Sequence, residues 1–396
     1  MNLEDILTYS VSFILLYSIV FLLLLYLKNY NKIMVQKKFS GRNLPLISIL
    51  ISAYNEEKYV EKCLDCVLAL DYPKDKLEII VVNDGSTDRT AEIINSYRSK
   101  GIKLLNKKNS GKASSLNYAI PIAKGKIIAT MDADSYVQPD VIKKLLPFFD
   151  EGGVVAVTSA VKVRSDNMMI KELQRLEYLL VLLSRKLLAV LDSVPVTPGP
   201  FSMFRAEIFR ELGGFDEKSI VEDHEMALRI QYNNYKIRSS IDAVVYTEVP
   251  PSLKGLINQR VRWHRGGLHN LFKYRSLLSP KYGDFGMFVI PVLSLLPIVA
   301  LLIMLPLAIN SFINQQIYLD KVGWDLLFIS FKPIAIIVIL VFLAALLWIY
   351  LNVRAFKGED TNPLLIAGYI IVYWYVTLAY NLITVFKELK REKLSW

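Results

Sequence analysis

Charge is distributed unevenly along this chain. Residues 6–27, 285–319, 333–353 and 361–386 carry no charged side chain, and each run reaches the length of about 20 residues that a helix needs to cross about 30 Å of hydrocarbon. The intervening 28–284 has ordinary polarity and alternates two periods. Short, continuously apolar runs at 46–53 (LISILISA), 77–82, 102–105 and 126–131 predict buried strands, and residues 58–70, 88–97, 113–123 and 139–149 carry helical spacing, the last opening on a proline. Residues 154–159 read as the last strong strand. Apolar strands alternating with helices predict an α/β domain with a mainly parallel sheet covered on both faces, and such sheets bind ligands outside the carboxyl ends of their strands.

Two further helices are expected at 171–191, with Leu173, Leu176, Leu180, Leu183 and Leu187 on one stripe, and at 252–274. The uncharged part of the first, 178–183, is too short to cross a bilayer. The preferred expectation for it is therefore a helix lying at a membrane surface, with packing on the sheet as the alternative. The second ends close to the first C-terminal apolar run, so both would bring the domain's working face against lipid.

The composition sharpens this picture. Of 396 residues 53% are hydrophobic and 21% charged, and the mean hydropathy is +0.34, which excludes a disordered chain, a secreted disulfide scaffold and a small peripheral module. The net charge of +10 does not indicate nucleic acid, because much of it flanks apolar runs, where basic residues set orientation. Lys28, Lys32, Lys37, Lys38 and Arg42 put the polar domain in the cytoplasm, with Glu4 and Asp5 outside. No basic segment precedes 6–27 and no small-residue cleavage site follows, so it is expected as a retained anchor. The organisation expected is an anchor at 1–28, a cytoplasmic domain at 29–250, an interfacial region at 251–284 and a membrane region of about three spans at 285–396, that is, a multi-pass protein of the cell membrane. Three spans would leave the tail outside, whereas Lys387, Lys390, Arg391 and Lys393 favour the cytoplasm. A broken segment in 285–319, interrupted by Pro291, Pro297 and Pro306, or an amphipathic piece within 317–331, would reconcile the two. Cys63 and Cys66 read as reduced thiols facing a core, and His224, His264 and His269 do not complete a zinc site.

The polar clusters 54–57, 83–86 and 132–134 fall where three strands run out, so they should lie together. Asp132 and Asp134 stand two apart at a strand end; on continued strand geometry both carboxylates point the same way, as two hard ligands for Mg²⁺ or Mn²⁺ that also holds a diphosphate. Asp84 sits in an Asn-Asp-Gly-Ser turn and could equally serve turn geometry or cap the next helix. Lys112, at a helix entrance, could meet phosphate oxygens, though an isolated lysine is more often solvated surface. Glu222 and Asp223 open a helix, where acids commonly answer the dipole; the functional alternative makes Asp223 a general base for an acceptor hydroxyl. Gln259, Arg262 and Trp263 share a helix on which an arginine and a tryptophan could simply be membrane anchors. No dinucleotide fingerprint or P-loop is present.

In order, Tyr54-Asn55-Glu56, Asn83-Asp84-Gly85, Gly111-Lys112-Ala113, Asp132-Ala133-Asp134, Glu222-Asp223 and Gln259-x-x-Arg262-Trp263 resemble the signature of membrane-bound family 2 glycosyltransferases, the processive β-glycan synthases such as cellulose, chitin, hyaluronan and poly-N-acetylglucosamine synthases. The resemblance implies an α/β GT-A fold flanked by transmembrane and interfacial helices, a nucleotide sugar (usually a UDP-sugar) as donor, and inversion at the anomeric carbon. It implies that Tyr54, Asp84 and Lys112 hold the nucleotide, that Asp132 and Asp134 bind the metal and diphosphate, and that Asp223 is the base. Arg262 would meet the diphosphate and Trp263 the acceptor sugar, with Glu56, Glu222 and Gln259 completing the substrate-binding set. Two departures stand out: Val221 occupies a position where relatives often have threonine, and 197–201 reads Thr-Pro-Gly-Pro-Phe in place of a Ser-Gly or Cys-Gly acceptor loop. The acceptor is a growing glycan or, alternatively, a polyprenyl-phosphate or other lipid. A non-catalytic partner would lack Asp132, Asp134 or Asp223, and a transporter would need charged or broken midplane positions.

Overall fold

The computed structural model describes residues 3–34, 44–295, 333–356, 359 and 362–394. Lys37, Lys38, Arg42, Pro297, Pro306 and the amphipathic piece expected within 317–331 lie outside the described residues. Two compact units are present. One comprises Met1–Lys32 with Leu278–Thr361, the other Ile33–Leu277 with Asn362–Trp396.

The second unit is built on one eight-stranded sheet. Its strands are β1 (Ile47–Ala53), β2 (Leu77–Asn83), β3 (Ile102–Asn106), β4 (Ile127–Asp132), β5 (Ser135–Val137), β6 (Val154–Val163), β7 (Ser202–Arg205) and β8 (Lys236–Thr247), in the order β3-β2-β1-β4-β7-β6-β8-β5. The alternation within β1 and β2 explains their unbroken apolar sequence. Ile47, Ile49, Ile51, Ile79 and Val81 point into one core, with α2 (Val60–Leu68), α3 (Thr90–Ser96) and α5 (Val141–Leu145). Leu50, Ile80 and Val82 point into the other, with α4 (Lys112–Ala119), α7 (Ala206–Glu211) and α8 (Glu222–Tyr232). Both faces are therefore covered. Cys63 and Cys66 are free thiols, and Cys63 is buried in the first of these cores.

The sheet is mainly parallel, as expected, with four of seven pairings parallel and three antiparallel. Two expectations are corrected. The strand at 154–159 is not the last, since β7 and β8 follow it. The charged and small residues of KIRSSIDAVVYT obscure β8 in the sequence, yet its pairing with β6 buries every second position. The helix expected at a membrane surface, α6 (Met169–Val190), instead packs on the sheet. It lies against β6 and β8 and buries Leu173, Leu176, Leu179, Leu183 and Leu187. Its basic residues follow it inward: Lys186 donates to the Ser239 carbonyl at 2.9 Å and Arg185 to the Ser159 carbonyl at 2.9 Å. Both cations are buried and donate to backbone carbonyls of the sheet, so basic residues here did not mark a lipid surface.

The helix α9 (Leu253–Lys273) lies against α8 and, on another side, along the helical stretch Pro363–Leu389. Leu365, Tyr373, Val376 and Tyr380 pack with Leu256 and Val261, and Arg265 pairs with Glu388 and takes the carbonyls of Glu392 and Lys393. The tail beyond Glu388 is thus held beside α9. In the first unit the helix Leu3–Met34 contains an apolar stretch at Tyr9–Met34, Phe21 packs on Phe288 with ring centres 4.4 Å apart, and Phe285–Leu295 forms a π-helix around Pro291. Among the described residues, Tyr9–Met34 and Pro363–Leu389 are the two helical stretches long and apolar enough to cross a membrane.

Candidate active site

Register gathers the predicted clusters. Ala53 sits opposite Asn83 and Ser52 opposite Asp132, so β1, β2 and β4 end together. Beyond β1, Asn55 takes a left-handed conformation (φ 55) and accepts from the Thr87 amide at 2.8 Å, while the Glu56 amide donates to Thr90 Oγ1 at 2.7 Å. Tyr54 is left half-exposed at the rim. Beyond β2, the buried Asp84 carboxylate accepts from Lys107 Nζ at 2.6 Å and from the amides of Ser110 and Gly111 at 3.1 and 2.8 Å. Asp84 therefore builds the loop that delivers Lys112. Gly85 has φ +74 and a Cβ there would fall 2.8 Å from the Asn109 amide nitrogen, so the close approach of this loop requires glycine.

Lys112 is not a solvated surface residue. Its ammonium reaches across to Asp132 Oδ1 and to Glu222 Oε1, the latter at 3.1 Å, joining the end of β4 to the start of α8. Burial works against its charge, but Asp132, Glu222 and Asp223 together hold its pKa above the ordinary lysine value. Burial raises the pKa of Asp223, with Lys112 pulling the other way. Its carboxylate accepts from the His224 amide at 2.8 Å, and its carbonyl accepts from Thr197 Oγ1, also at 2.8 Å.

Arg262 acts electrostatically on Asp223 and donates to the Ile220 carbonyl at 3.3 Å. Its position is set by how α9 docks. A Cβ on Gly266 would run into the Val221 side chain and stand 2.9 Å from Ile220 Cγ1. Asn270 donates to the Val221 carbonyl at 3.2 Å and accepts from Ser219 Oγ at 3.0 Å. The helix bearing Arg262 is thus clamped to the loop that leads into Asp223.

The second acid of the Asp-x-Asp pair is reached differently from the strand geometry expected. The strand ends at Asp132, and Ala133 and Asp134 form a turn into β5. Asp134 nevertheless stays close enough to be pushed up to about 7 by burial and by Asp132. Glu56 is pushed up to about 8 by burial, then by Asp134, Asp132 and Asp88. Carboxylates that raise one another in this way are short of positive charge, and a hard divalent cation relieves that crowding. Among the described residues no group of three or more His, Cys, Asp or Glu is arranged to hold a metal. Asp132 and Asp134 fit an ion that takes two carboxylates and completes its shell elsewhere, as Mg²⁺ does with phosphates.

Gln259 and Trp263 are engaged by a residue that sequence reasoning did not single out. Arg260, 2% exposed, forms a two-pronged ion pair with Glu177 of α6, with Nε 3.1 Å from Oε1. It also donates to Gln259 Oε1, and its Cζ lies 4.2 Å from the centre of the Trp263 ring. The available signal was Glu177 itself, an acid set in a leucine-rich helix. The 197–201 segment closes the site from the other side: a Cβ on Gly199 would meet Lys112 Nζ and lie 2.7 Å from Asp132 Oδ2. Gly199→Ala is therefore expected to push Lys112 off Asp132 and lower turnover about tenfold or more, since small misplacements of binding groups are costly. Wild-type turnover in that variant would show that the loop yields freely.

Comparison with other proteins agrees with this geometry. Residues 48–213 match the model described as Glycosyl transferase family 2. The poly-beta-1,6-N-acetyl-D-glucosamine synthase of Staphylococcus epidermidis is 27% identical over 373 residues, covering 92% of this chain and 89% of that protein. The enzyme of the same name from Staphylococcus aureus (strain COL) is 27% identical over 353 residues, covering 88% and 84%. Among solved structures, the mannosyltransferase PcManGT from Pyrobaculum calidifontis, in complex with GDP-Man and Mn²⁺, superposes with a TM-score of 0.65 at 20% identity, over 98% of this chain and 100% of that one. The fold is thus the GT-A arrangement, with a mixed sheet.

Proposed function

We propose that this chain, a family 2 glycosyltransferase similar to the poly-β-1,6-N-acetyl-D-glucosamine synthases, elongates a β-linked glycan from a nucleotide sugar at a membrane surface. The observation that carries the reading is the Lys112 bridge between Asp132 and Glu222, with Asp223 next in the chain and Arg262 acting on it. One site thereby unites a diphosphate end and a proton-accepting end.

In this reading Tyr54 and the loop shaped by Asp84 receive the nucleotide, and Glu56 stands beside the diphosphate. Breaking the bond at the anomeric carbon leaves an oxocarbenium-like centre and a diphosphate that gains charge. Lys112 and Arg262 are fixed cations facing that charge, the preorganised electrostatics on which such catalysis chiefly depends. When the donor arrives, Lys112 can exchange its Asp132 oxygen for a phosphate oxygen. A divalent ion held by Asp132 and Asp134 would supply Lewis-acid stabilisation of the leaving diphosphate. Asp223 takes the proton of the acceptor hydroxyl as its oxygen attacks from the face opposite the leaving group, so the anomeric configuration inverts. Its raised pKa suits a base working near neutrality. Gln259 and Trp263, held by Arg260, form the acceptor side.

The donor assigned is a UDP-sugar, with UDP-N-acetylglucosamine first because the sequence relatives are named for a polymer of that sugar. GDP-mannose is the second choice, since the structural neighbour binds it. The helices Tyr9–Met34 and Pro363–Leu389 associate with the bilayer. The second presents Leu364, Ile371, Trp374, Tyr375, Phe386 and Leu389 outward, an apolar and aromatic face suited to lipid. Because Arg265 holds Glu388, the tail stays on the side of the catalytic unit. This agrees with the cytoplasmic placing that its basic residues favour.

Purified protein in lipid nanodiscs, incubated with a panel of labelled nucleotide sugars, should form a product that lengthens with time and yields to a β-specific glycosidase. A single sugar recovered in the lipid phase would support lipid-acceptor transfer instead, and no product from any donor would end the catalytic reading. Removal of divalent ions by EDTA should reduce turnover at least about a hundredfold, restored by Mg²⁺ or Mn²⁺. Undiminished activity in EDTA would exclude the metal role of Asp132 and Asp134.

A further inference from the structure

The stretch Pro363–Leu389 is long and apolar enough to cross a membrane, yet it is attached to the catalytic unit from end to end. At its start Leu365 packs with Leu173 of α6 and Leu256 of α9, and a Cβ on Gly368 would stand 3.3 Å from Met169 Cε. In its middle Tyr373 and Val376 pack with Val261, and the Tyr380 ring centre lies 4.7 Å from that of His264. At its end Glu388 pairs with Arg265 and stands 2.9 Å from His269 Nε2. At 1.5 Å per residue this contact runs for about 35 Å, longer than a hydrocarbon core of about 30 Å.

A helix that crossed the bilayer could not keep such a partner. With Val376 at the bilayer centre, Arg260, Arg262, His264 and Arg265 of α9 would be drawn into hydrocarbon, and Asp223, on which Arg262 acts, would follow. Charged side chains at that depth are costly, and a diphosphate-bearing substrate would have no water to arrive through.

The opposite face shows what covers it. Leu364, Ile371, Trp374, Tyr375, Phe386 and Leu389, each more than half exposed, follow one another at helical spacing along one stripe. A protein surface facing water seldom carries so long an apolar stripe. Trp374 and Tyr375 lie near its middle, and these are the residue types that settle at headgroup level rather than in the bilayer centre. Lys387, Lys390, Arg391 and Lys393 follow at its end, a charge that anionic headgroups attract.

We propose that Pro363–Leu389 does not cross the bilayer but lies flat in one leaflet, its buried face docked on α6 and α9 and its exposed stripe sunk among the headgroups and upper acyl chains. The inference deepens the bilayer association proposed above and rests on it. It seats the helix that bears Gln259, Arg262 and Trp263 at the lipid surface. It also removes the conflict between three C-terminal spans and a basic tail, because one of the three does not cross.

The test is a depth profile of the full-length protein in liposomes of phosphatidylethanolamine and phosphatidylglycerol. A nitroxide is attached to a single cysteine at Leu364→Cys, Tyr375→Cys or Leu389→Cys, and at Leu24→Cys within Tyr9–Met34 as a ruler. All four positions are more than half exposed, so no label unpacks the core. The background is Cys66→Ala, since Cys63 is fully buried and out of reach of the label. Collision with oxygen and with a polar nickel chelate gives the depth of each. The labels at 364, 375 and 389 should agree within about 5 Å and lie about 5–10 Å below the headgroups, with that at 24 markedly deeper. A crossing helix would instead place the label at 375 about 16 Å deeper than that at 364, and that result overturns the inference. So does a label at 24 in hydrocarbon with the other three in water, which leaves the bilayer association to Tyr9–Met34 alone. All four labels in water would remove the bilayer association itself, and this inference with it.

Discussion

Asp223→Asn is expected to lower glycosyl transfer about 10²- to 10⁴-fold, the usual contribution of a positioned base, while nucleotide binding stays within a factor of about two. The asymmetry follows from the geometry. Asparagine keeps an oxygen for the His224 amide, and the bond from Thr197 goes to the backbone carbonyl, so the loop and helix start are preserved and only the proton acceptor is lost. The measurement is transfer rate beside calorimetric binding of the nucleoside diphosphate. The pH profile gives a second reading. A base must be ionised to act, and burial raises the Asp223 pKa, so the acid limb of kcat should lie above the ordinary aspartate range near 4. Activity should fall as pH drops through that limb. Near-normal transfer by Asp223→Asn would assign proton removal to another group.

Glu177→Leu should produce the largest loss of stability. Arg260 is almost wholly buried and has its two-pronged partner in Glu177. Removing that carboxylate leaves a buried cation uncompensated, at a cost of about 3–5 kcal/mol. Glu177→Leu combined with Arg260→Met should recover most of it, because replacing both ions by apolar groups of similar size is often neutral or better. Thermal unfolding followed by tryptophan fluorescence would check both. The environment of Trp263 should change in the single variant, since Arg260 lies over its ring. A single variant as stable as the wild type would mean that solvent reaches Arg260.

Much of the catalytic unit was legible because local pattern and fold agree. Residues 46–53 and 77–82 became β1 and β2 with one-residue differences at their ends, and the helix expected to open at Glu222 and Asp223 is α8. The strand-end rule placed Asp84 and Asp132 together because parallel strands in register end together. The failures share a physical origin. In α6, four of the five leucines of the expected stripe are buried, Leu180 being the exception, but charges that leave only 178–183 uncharged made the helix look interfacial; two of them, Arg185 and Lys186, are buried and donate to the carbonyls of Ser159 and Ser239, distant in sequence. The strand β8 was missed because charged and small residues mask the alternation that turns its Ile237, Ile241, Ala243 and Val245 inward. Taken alone Lys112 read as surface, and only its place among the other motifs singled it out, because neither acid that pairs with it is near it in sequence.

From the order of residues alone came the period of each strand and helix, the acidic and amidic tips of three strands, and the long apolar runs. These are local properties, set by side-chain alternation and by the free energy of leaving water. Only the folded chain decided that α6 lies on the sheet and that Arg260 belongs to Glu177, 83 positions away. It likewise decided that Arg262 acts electrostatically on Asp223. Each of those pairs joins segments whose approach depends on the packing of everything between them, and one-dimensional periodicity keeps no record of that.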